Sequence, residues 1–244
     1  MGAEVMKIFA YNLCVDFISK RDGQNYDFSL ISFAELMGHL FKGKNFDDQV
    51  YYVEARNEEA FLDEVFELQG NDIWRGLRVT IKLVFPSPRV QEDALDSFLD
   101  RFKHKDAAGG LVENEKGEYL CIYSRSRWSL PKGGVEWREK VEAAAVREVM
   151  EESGLQEVAL QKPLLKTYHT FRRKRNWVMK VTHWYKMTAS SSEVLIPQKE
   201  EGITDINWFD REAVMQLQKD TYPLIREIFL AELGNGLAQS LPNE

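Results

Sequence analysis

The sequence predicts an α/β protein: an α/β sandwich of mixed strands with helices around them, preceded by a small α/β N-terminal domain. Three observations predict it. Strand-like and helix-like patterns alternate along all 244 residues. The pattern is interrupted by "PSP" near Pro88 and resumes after one more helix. Beyond that point a hairpin, a Gly-containing loop, a helix and further strands follow one another at short spacing.

The first part, residues 1–88, contains strands and helices but no catalytic motif. "KIFAYNLCVDFI" reads as strand with a tight break near Asn12. "FSLISFAELMGHLFKGK" reads as an amphipathic helix, because Phe33, Leu36, Met37 and Leu40 recur three and four apart and Gly43 lies past its end. "QVYYVEA" is a strand. "NEEAFLDEVFELQ" is a helix with Asn57 as N-cap and Glu58 and Glu59 in its first turn. "GLRVTIKLVF" is a strand. This domain is expected to serve interaction, including homodimer formation. Residues 89–104 are expected to form a connecting helix with Leu95, Phe98, Leu99 and Phe102 as its apolar stripe.

The second domain is expected over 105–236, with 237–244 as a tail. "AAGGLVENEKGEYLCIYSR" reads as a hairpin turning at "NEKGE". "SRWSLPKGGVEWRE" reads as a loop. "KVEAAAVREVMEESG" is a helix closed by Gly154. "LLKTYHTFRR" and "VMKVTHWYKMTA" are strands joined through "RRKRN", and "ITDINWF" is another. Asp210 caps "REAVMQLQ", and "YPLIREIFLAEL" is the last helix, with Pro223 near its start and Gly234 past its end.

Composition narrows the function classes. The chain is 44% hydrophobic and 29% charged, ordinary for a soluble globular protein. Its net charge of -7 argues against general nucleic-acid binding, which needs clustered Lys and Arg. A small anionic ligand in a local basic pocket remains compatible with it. Cys14 and Cys121 sit in apolar runs and read as buried thiols of a reducing compartment. "MGAEVMKIFAYN" shows no apolar h-region, and no run reaches membrane-spanning length. A cytoplasmic protein is expected.

The chemistry concentrates in "LPKGGVEWREKVEAAAVREVMEESGLQEV". At about 100° per residue, Glu148, Glu151 and Glu152 fall on one face of the helix and Ala145, Val146, Val149 and Met150 on the other. Like charges at this spacing repel. A divalent cation such as Mg²⁺ would offset the repulsion, because it takes oxygen ligands and bridges carboxylates to phosphates. The "PKGG" loop fits that reading: its glycines permit close backbone approach, and Lys132 offers a donor to a phosphate oxygen.

Gly133, Glu139, the Arg147-Glu148 pair, Val149, the Glu151-Glu152 pair, Gly154 and Leu155 stand in a register that resembles the signature of the Nudix hydrolases. The likeness extends from about Ala107 to Leu233 and takes in "AAGGLV", "LPKG" and "EEGITDINWF". It implies a Nudix α/β/α sandwich whose loop-helix-loop cleaves phosphoanhydride bonds with Mg²⁺, Mn²⁺ being the alternative ion. By position, Glu148 and Glu152 would be metal ligands and Glu151 a ligand or the general base. The Gly133 carbonyl would be a further ligand, and Arg147 and Glu139 would pair to hold loop against helix. A late glutamate takes the base role in some members, which makes Glu200 and Glu201 candidates alongside Glu151 and Glu148.

The substrate is expected to be a small phosphorylated molecule. The nearest branch in look cleaves diadenosine and diphosphoinositol polyphosphates. ADP-ribose or nucleotide-sugar hydrolysis, or a non-catalytic Nudix-like sensor, are the alternatives. Arg125, Arg127, Lys132, Arg173 and Lys180 are the candidate phosphate contacts, Arg173 as part of the basic run 172–175. Trp128 and Trp177 read as core aromatics before base-stacking ones, and His169 and His183 as structural.

Overall fold

The computed structural model describes residues 7–10, 13–19, 35–36, 49–54, 79–173, 176–217 and 221–234. The helix expected over 57–69, Gly43, Asn57, Lys174, Arg175 and the tail 237–244 lie outside them, and of the helix expected around Phe33–Leu40 only residues 35–36 are described, as helical. The chain divides into two compact units, Met1–His104 with Tyr168–Met179, and Lys105–Thr167 with Lys180–Glu244.

In the first unit, "KIFAYNLCVDFI" is two strands rather than one: β1 (Lys7–Ala10) and β2 (Leu13–Ser19) pair antiparallel, Ala10 opposite Leu13. Asn12, where the break is expected, lies outside the described residues. Strand β3 (Gln49–Glu54) and β2 both run parallel to β4 (Val79–Phe85). Ser87 caps helix α1 (Pro88–Leu99) by accepting from the Val90 amide, and Pro88 opens it. The expected connector lies in this unit, where its Phe98 meets Phe17 at 5.6 Å and Gln91 Nε2 donates to the Phe17 carbonyl at 2.7 Å. Buried Phe17 and Phe85 stack at 5.8 Å, each such side chain contributing roughly 1.5–3 kcal/mol by leaving water.

The second unit is the sandwich. Its strands are β5 (Lys103–Glu113), β6 (Tyr119–Ser124), β7 (Arg127–Ser129), β8 (Lys132–Gly134), β9 (Ala159–Arg173), β10 (Asn176–Thr188) and β11 (Ile203–Phe209). Of these, Lys103, His104 and the stretch Tyr168–Met179 count with the first unit. The order is β11-β6-β5-β10-β9, with β7 beside β6 and β8 beside β5. Its helices are α2 (Val141–Ser153), α3 (Arg211–Leu217) and α4 (Pro223–Leu233).

Alternation along the strands makes two cores. Leu120 and Ile122 of β6, with Ala108 and Val112 of β5, pack with Ala144, Ala145 and Val149 of α2. Tyr119 and Cys121 of β6, with Leu111 of β5 and Trp184 of β10, pack with Val214 of α3 and Ile225, Ile228 and Phe229 of α4. Neighbouring residues of one strand face opposite layers, so the helices must lie on both faces. Cys14 and Cys121 are buried free thiols, and burial pushes the Cys121 thiol up to about 12. Among the described residues no helix is long and apolar enough to cross a membrane.

The turn at "NEKGE" is built by Asn114, whose Oδ1 accepts the Lys116 and Glu118 amides, and by Gly117 at φ 76°. Asp210 caps α3 by accepting the Ala213 amide at 2.7 Å. "SRWSLPKGG" departs from the loop the sequence predicts. It holds β7 and β8, paired with β6 and β5, and Gly109 opposes Lys132. A Cβ on Gly109 would stand 2.4 Å from the Pro131 carbonyl oxygen and 2.5 Å from Lys132 Cβ. Gly109→Ala is therefore expected to destabilise the chain by about 1–3 kcal/mol, as overpacking does. Gly134→Ala, where nothing lies within 4 Å, is expected to be near neutral; thermal unfolding of the two variants checks the contrast.

Candidate functional site

The site is assembled by β8, the loop after it, and the polar side of α2. Its centre is Arg147. The guanidinium Nε donates to Glu139 Oε1 at 2.8 Å and Nη2 to Glu139 Oε2 at 2.9 Å. Nη1 donates to Glu148 Oε1 at 2.8 Å and Glu151 Oε2 at 3.0 Å, and Nη2 also to the Gly134 carbonyl at 2.9 Å. A guanidinium carries five N–H donors, and each has an acceptor here. The pairing with Glu139 agrees with what the Nudix likeness implies. That the same side chain also holds Glu148, Glu151 and the Gly134 carbonyl was not visible in the spacing.

Glu139 also accepts the Glu136 amide at 2.9 Å, closing the loop on itself. The bonds from Arg147, with that amide, hold the Glu139 carboxyl at about 2, below its ordinary 4.5.

The three α2 glutamates do not share one environment. Glu151 is exposed, Glu148 half-buried, and Glu152 buried at 6% exposure. Burial raises the Glu152 carboxyl to about 7, against the opposing pull of Lys132, whose amide donates to Oε2 at 2.8 Å. Burial also raises Glu148, and its bond to Arg147 opposes this. A Cβ on Gly133 would lie 1.7 Å from Glu148 Oε2, so a side chain there would displace that carboxylate.

Glu201 lies in the short 3-10 turn Lys199–Glu201. Its charge acts on both Glu148 and Glu152, which brings it to the site. Opposite in sign is Lys180 on β10. Burial lowers its ammonium to about 8, Lys132 and Arg125 lower it further, and Glu152 and Glu148 pull it back up. Lys132, Lys180 and Arg125 thus share one field with the carboxylates. The turn that carries Arg125 is tight, with Arg125 and Ser126 at φ 51° and 63°.

Arg127 stands over the Tyr222 ring at 5.1 Å. Arg173 and Trp177 belong to the first unit, as does His169, whose ring lies 5.8 Å from Phe171. Trp128 packs between Tyr123 and Phe209 at 5.2 and 4.7 Å, and His183 bonds Asp106 at 3.2 Å. A cavity of about 730 Å³, lined in part by Asn114, Glu115, Met150, Gln156 and Glu193, takes in none of the site carboxylates.

Among the described residues no three His, Cys, Asp or Glu side chains form a closed metal cluster. The donor set nevertheless suits a hard divalent cation. Arg147 and the Lys132 amide each engage one oxygen of a carboxylate: Oε1 of Glu148, Oε2 of Glu151 and Oε2 of Glu152. The second oxygen of each is left to a ligand, and the buried pair lacks full compensation within the chain.

A family model described as the NUDIX domain matches residues 103–231. Solved structures align over about half of this chain. A C. elegans Ap4A hydrolase binary complex is 18% identical, with 55% of this chain and 98% of that one covered at a TM-score of 0.43. A MutT protein from Methanosarcina mazei Go1 is 20% identical, with 56% and 96% covered and a TM-score of 0.42. A MutT NUDIX hydrolase from Burkholderia pseudomallei is 24% identical, with 53% and 98% covered and a TM-score of 0.41.

Arg147→Lys keeps the charge and loses the planar fork. It is expected to lower kcat about 100-fold, the scale of an ångström-sized misplacement. The acid response carries a second expectation. Glu139 is depressed in the folded chain, so its contribution to stability is present above about 4.5 and is lost as pH falls through about 2. In Arg147→Leu this part of the acid-side fall in Tm should vanish, as unfolding scans from pH 5 to pH 2 would record.

Proposed function

This chain belongs to the Nudix family of hydrolases, which act on phosphorus-containing anhydrides, and we propose that its own substrate is a dinucleoside or diphosphoinositol polyphosphate cleaved with Mg²⁺. The observation that carries the reading is the meeting of half-buried Glu148 and buried Glu152 with Lys180, Lys132 and Arg125 in one field. Carboxylates alone would suit a cation, and the basic groups alone a phosphate. Both together suit a phosphate chain with its divalent ion.

Glu148 and Glu152 would hold the ion, with Glu151 and the Gly133 carbonyl as further donors. The bound ion supplies charge neutralisation at the anhydride oxygens and acidifies a water. Arg147 fixes the directions of Glu148 and Glu151 and ties the Gly134 carbonyl to α2. Lys180, Lys132 and Arg125 orient the phosphates away from the carboxylates. Glu201 accepts the proton of the attacking water. Its competitor Glu151 has one carboxylate oxygen already engaged by the Arg147 guanidinium.

A hydrolysis panel tests the reading: diadenosine polyphosphate, diphosphoinositol polyphosphate, ADP-ribose, a nucleotide sugar and an oxidised nucleoside triphosphate, each with Mg²⁺ and with chelator. Turnover is expected on one of the first two and should vanish with chelator. Glu201→Gln should lower kcat by about 10²–10⁴, the usual scale of a lost acid-base group, and Glu152→Gln should raise the Mg²⁺ concentration needed for turnover. Lys180→Met should chiefly raise KM, by roughly tenfold or more for one charge-assisted bond. Preference for ADP-ribose or a nucleotide sugar would overturn the substrate, and no turnover on any would overturn catalysis in favour of a sensor.

A further inference from the structure

We propose that residues Ser190–Gln198 form a strap that sets Glu201 in the site by docking on the last carbonyls of α2. The proposal rests on the role given to Glu201 above.

The last four carbonyls of a helix lack intrahelical donors. In α2, the Met150 carbonyl is closed by the Gly154 amide at 2.8 Å. The last two are taken from outside: Ser153 O accepts the Ile196 amide at 2.8 Å, and Glu152 O accepts the Gln198 amide at 3.4 Å. Glu152 thus gives its carboxylate to the site and its carbonyl to the strap. Between the two docked amides stands Pro197, whose fixed φ limits the ways the strap can cross the helix end.

From Gln198 to Glu201 the path is short and closed. Its carbonyl accepts the Glu201 amide at 3.2 Å and the Ile203 amide at 3.4 Å, and Gly202 N donates to Lys199 O at 2.9 Å. One turn after docking, Glu201 is therefore fixed between the strap and the first residue of β11. Gly154 serves the same contact. Its φ of 79° favours glycine, and a Cβ there would also lie 2.7 Å from Ile196 Cβ and 2.9 Å from Ile196 N.

Polar bonds and the half-buried Leu195, which packs on the α2-side core, hold the strap. Val194 is 75% exposed and Ile196 60%. At its start, the Ser191 amide donates to Glu115 at 3.0 Å and the Ser191 hydroxyl to the same carboxylate; Glu193 accepts the Gln156 amide at 2.6 Å. These residues position Glu201 and touch no substrate.

The test uses the full chain with the substrate chosen by the panel. Pro197→Gly loosens the crossing. Gly154→Asn tolerates the left-handed backbone but sets a Cβ against Ile196. Both are expected to speed hydrogen exchange at the Ile196 and Gln198 amides and to lower kcat about tenfold, with KM within twofold. In the Glu201→Gln background neither should lower kcat further. A tenfold loss in that background as well would mean the strap acts on something other than Glu201 and overturns the proposal. So would exchange that quickens with kcat intact, or that stays slow in both variants. If Glu201→Gln by itself leaves kcat unchanged, the role of Glu201 is what fails, and the strap proposal falls with it.

Discussion

The arrangement around α2 depends on one guanidinium. Three glutamates within five residues of a helix repel each other, and Arg147 answers two of them, Glu148 and Glu151, from the same helix. Its fork also reaches Glu139 and the Gly134 carbonyl, so the loop after β8 cannot leave the helix without breaking charge-assisted bonds. The side chain is 26% exposed. Ion pairs this open to water contribute little net stability, typically 0–1 kcal/mol each. The network therefore matters more for direction than for energy: it decides where the carboxylate oxygens point.

The backbone makes the same site possible by close approach. Gly109 lets β8 lie against β5, and Gly110 faces Met187 and Val149 where a Cβ would meet Sδ at 2.7 Å. Gly133 clears the Glu148 carboxylate. With three side chains absent, β5, β8 and α2 come together closely enough for the Lys132 amide to reach Glu152. That closeness is also what buries Glu152 and Lys180 and moves both toward their neutral forms.

Much of this was legible in the residues, because it is local. Helix α2 ends at Gly154 with the left-handed backbone that glycine favours, Asp210 caps α3, and the Asn114 turn closes β5 on β6. Each rests on a side chain acting within four residues of itself. The three-residue strands β7 and β8 were not legible: they contain no hydrophobic period, and only pairing with β6 and β5 makes them strands. Nor were the remaining partners of Arg147, or the nearness of Lys180 and Glu201 to Glu152. All of these depend on contacts between segments far apart in sequence. In the first unit the residues announced strands, but the antiparallel pairing of β1 with β2 was read only as a break.

A second charged cluster in the same unit shows how site and scaffold differ. Lys186 Nζ bonds Glu113 at 2.9 Å and Glu232 at 2.8 Å, and Lys162 adds to Glu232 at 3.3 Å. Burial pulls the Lys186 ammonium down, but its two carboxylate partners outweigh burial and the net direction is up. Burial raises Glu232 likewise, and its lysines outweigh it to leave the carboxyl low. The Lys186 and Glu232 charges are answered by the chain itself, so their ionised forms are favoured, and the cluster ties β5, β10 and α4 together. At Glu148, Glu152 and Lys180 burial wins instead. Groups whose burial the protein does not offset are suited to bind charge from outside, and shifts of this direction mark functional sites more often than structural ones. The opposite directions in two clusters of like composition separate the site from the frame on physical grounds that do not depend on the motif.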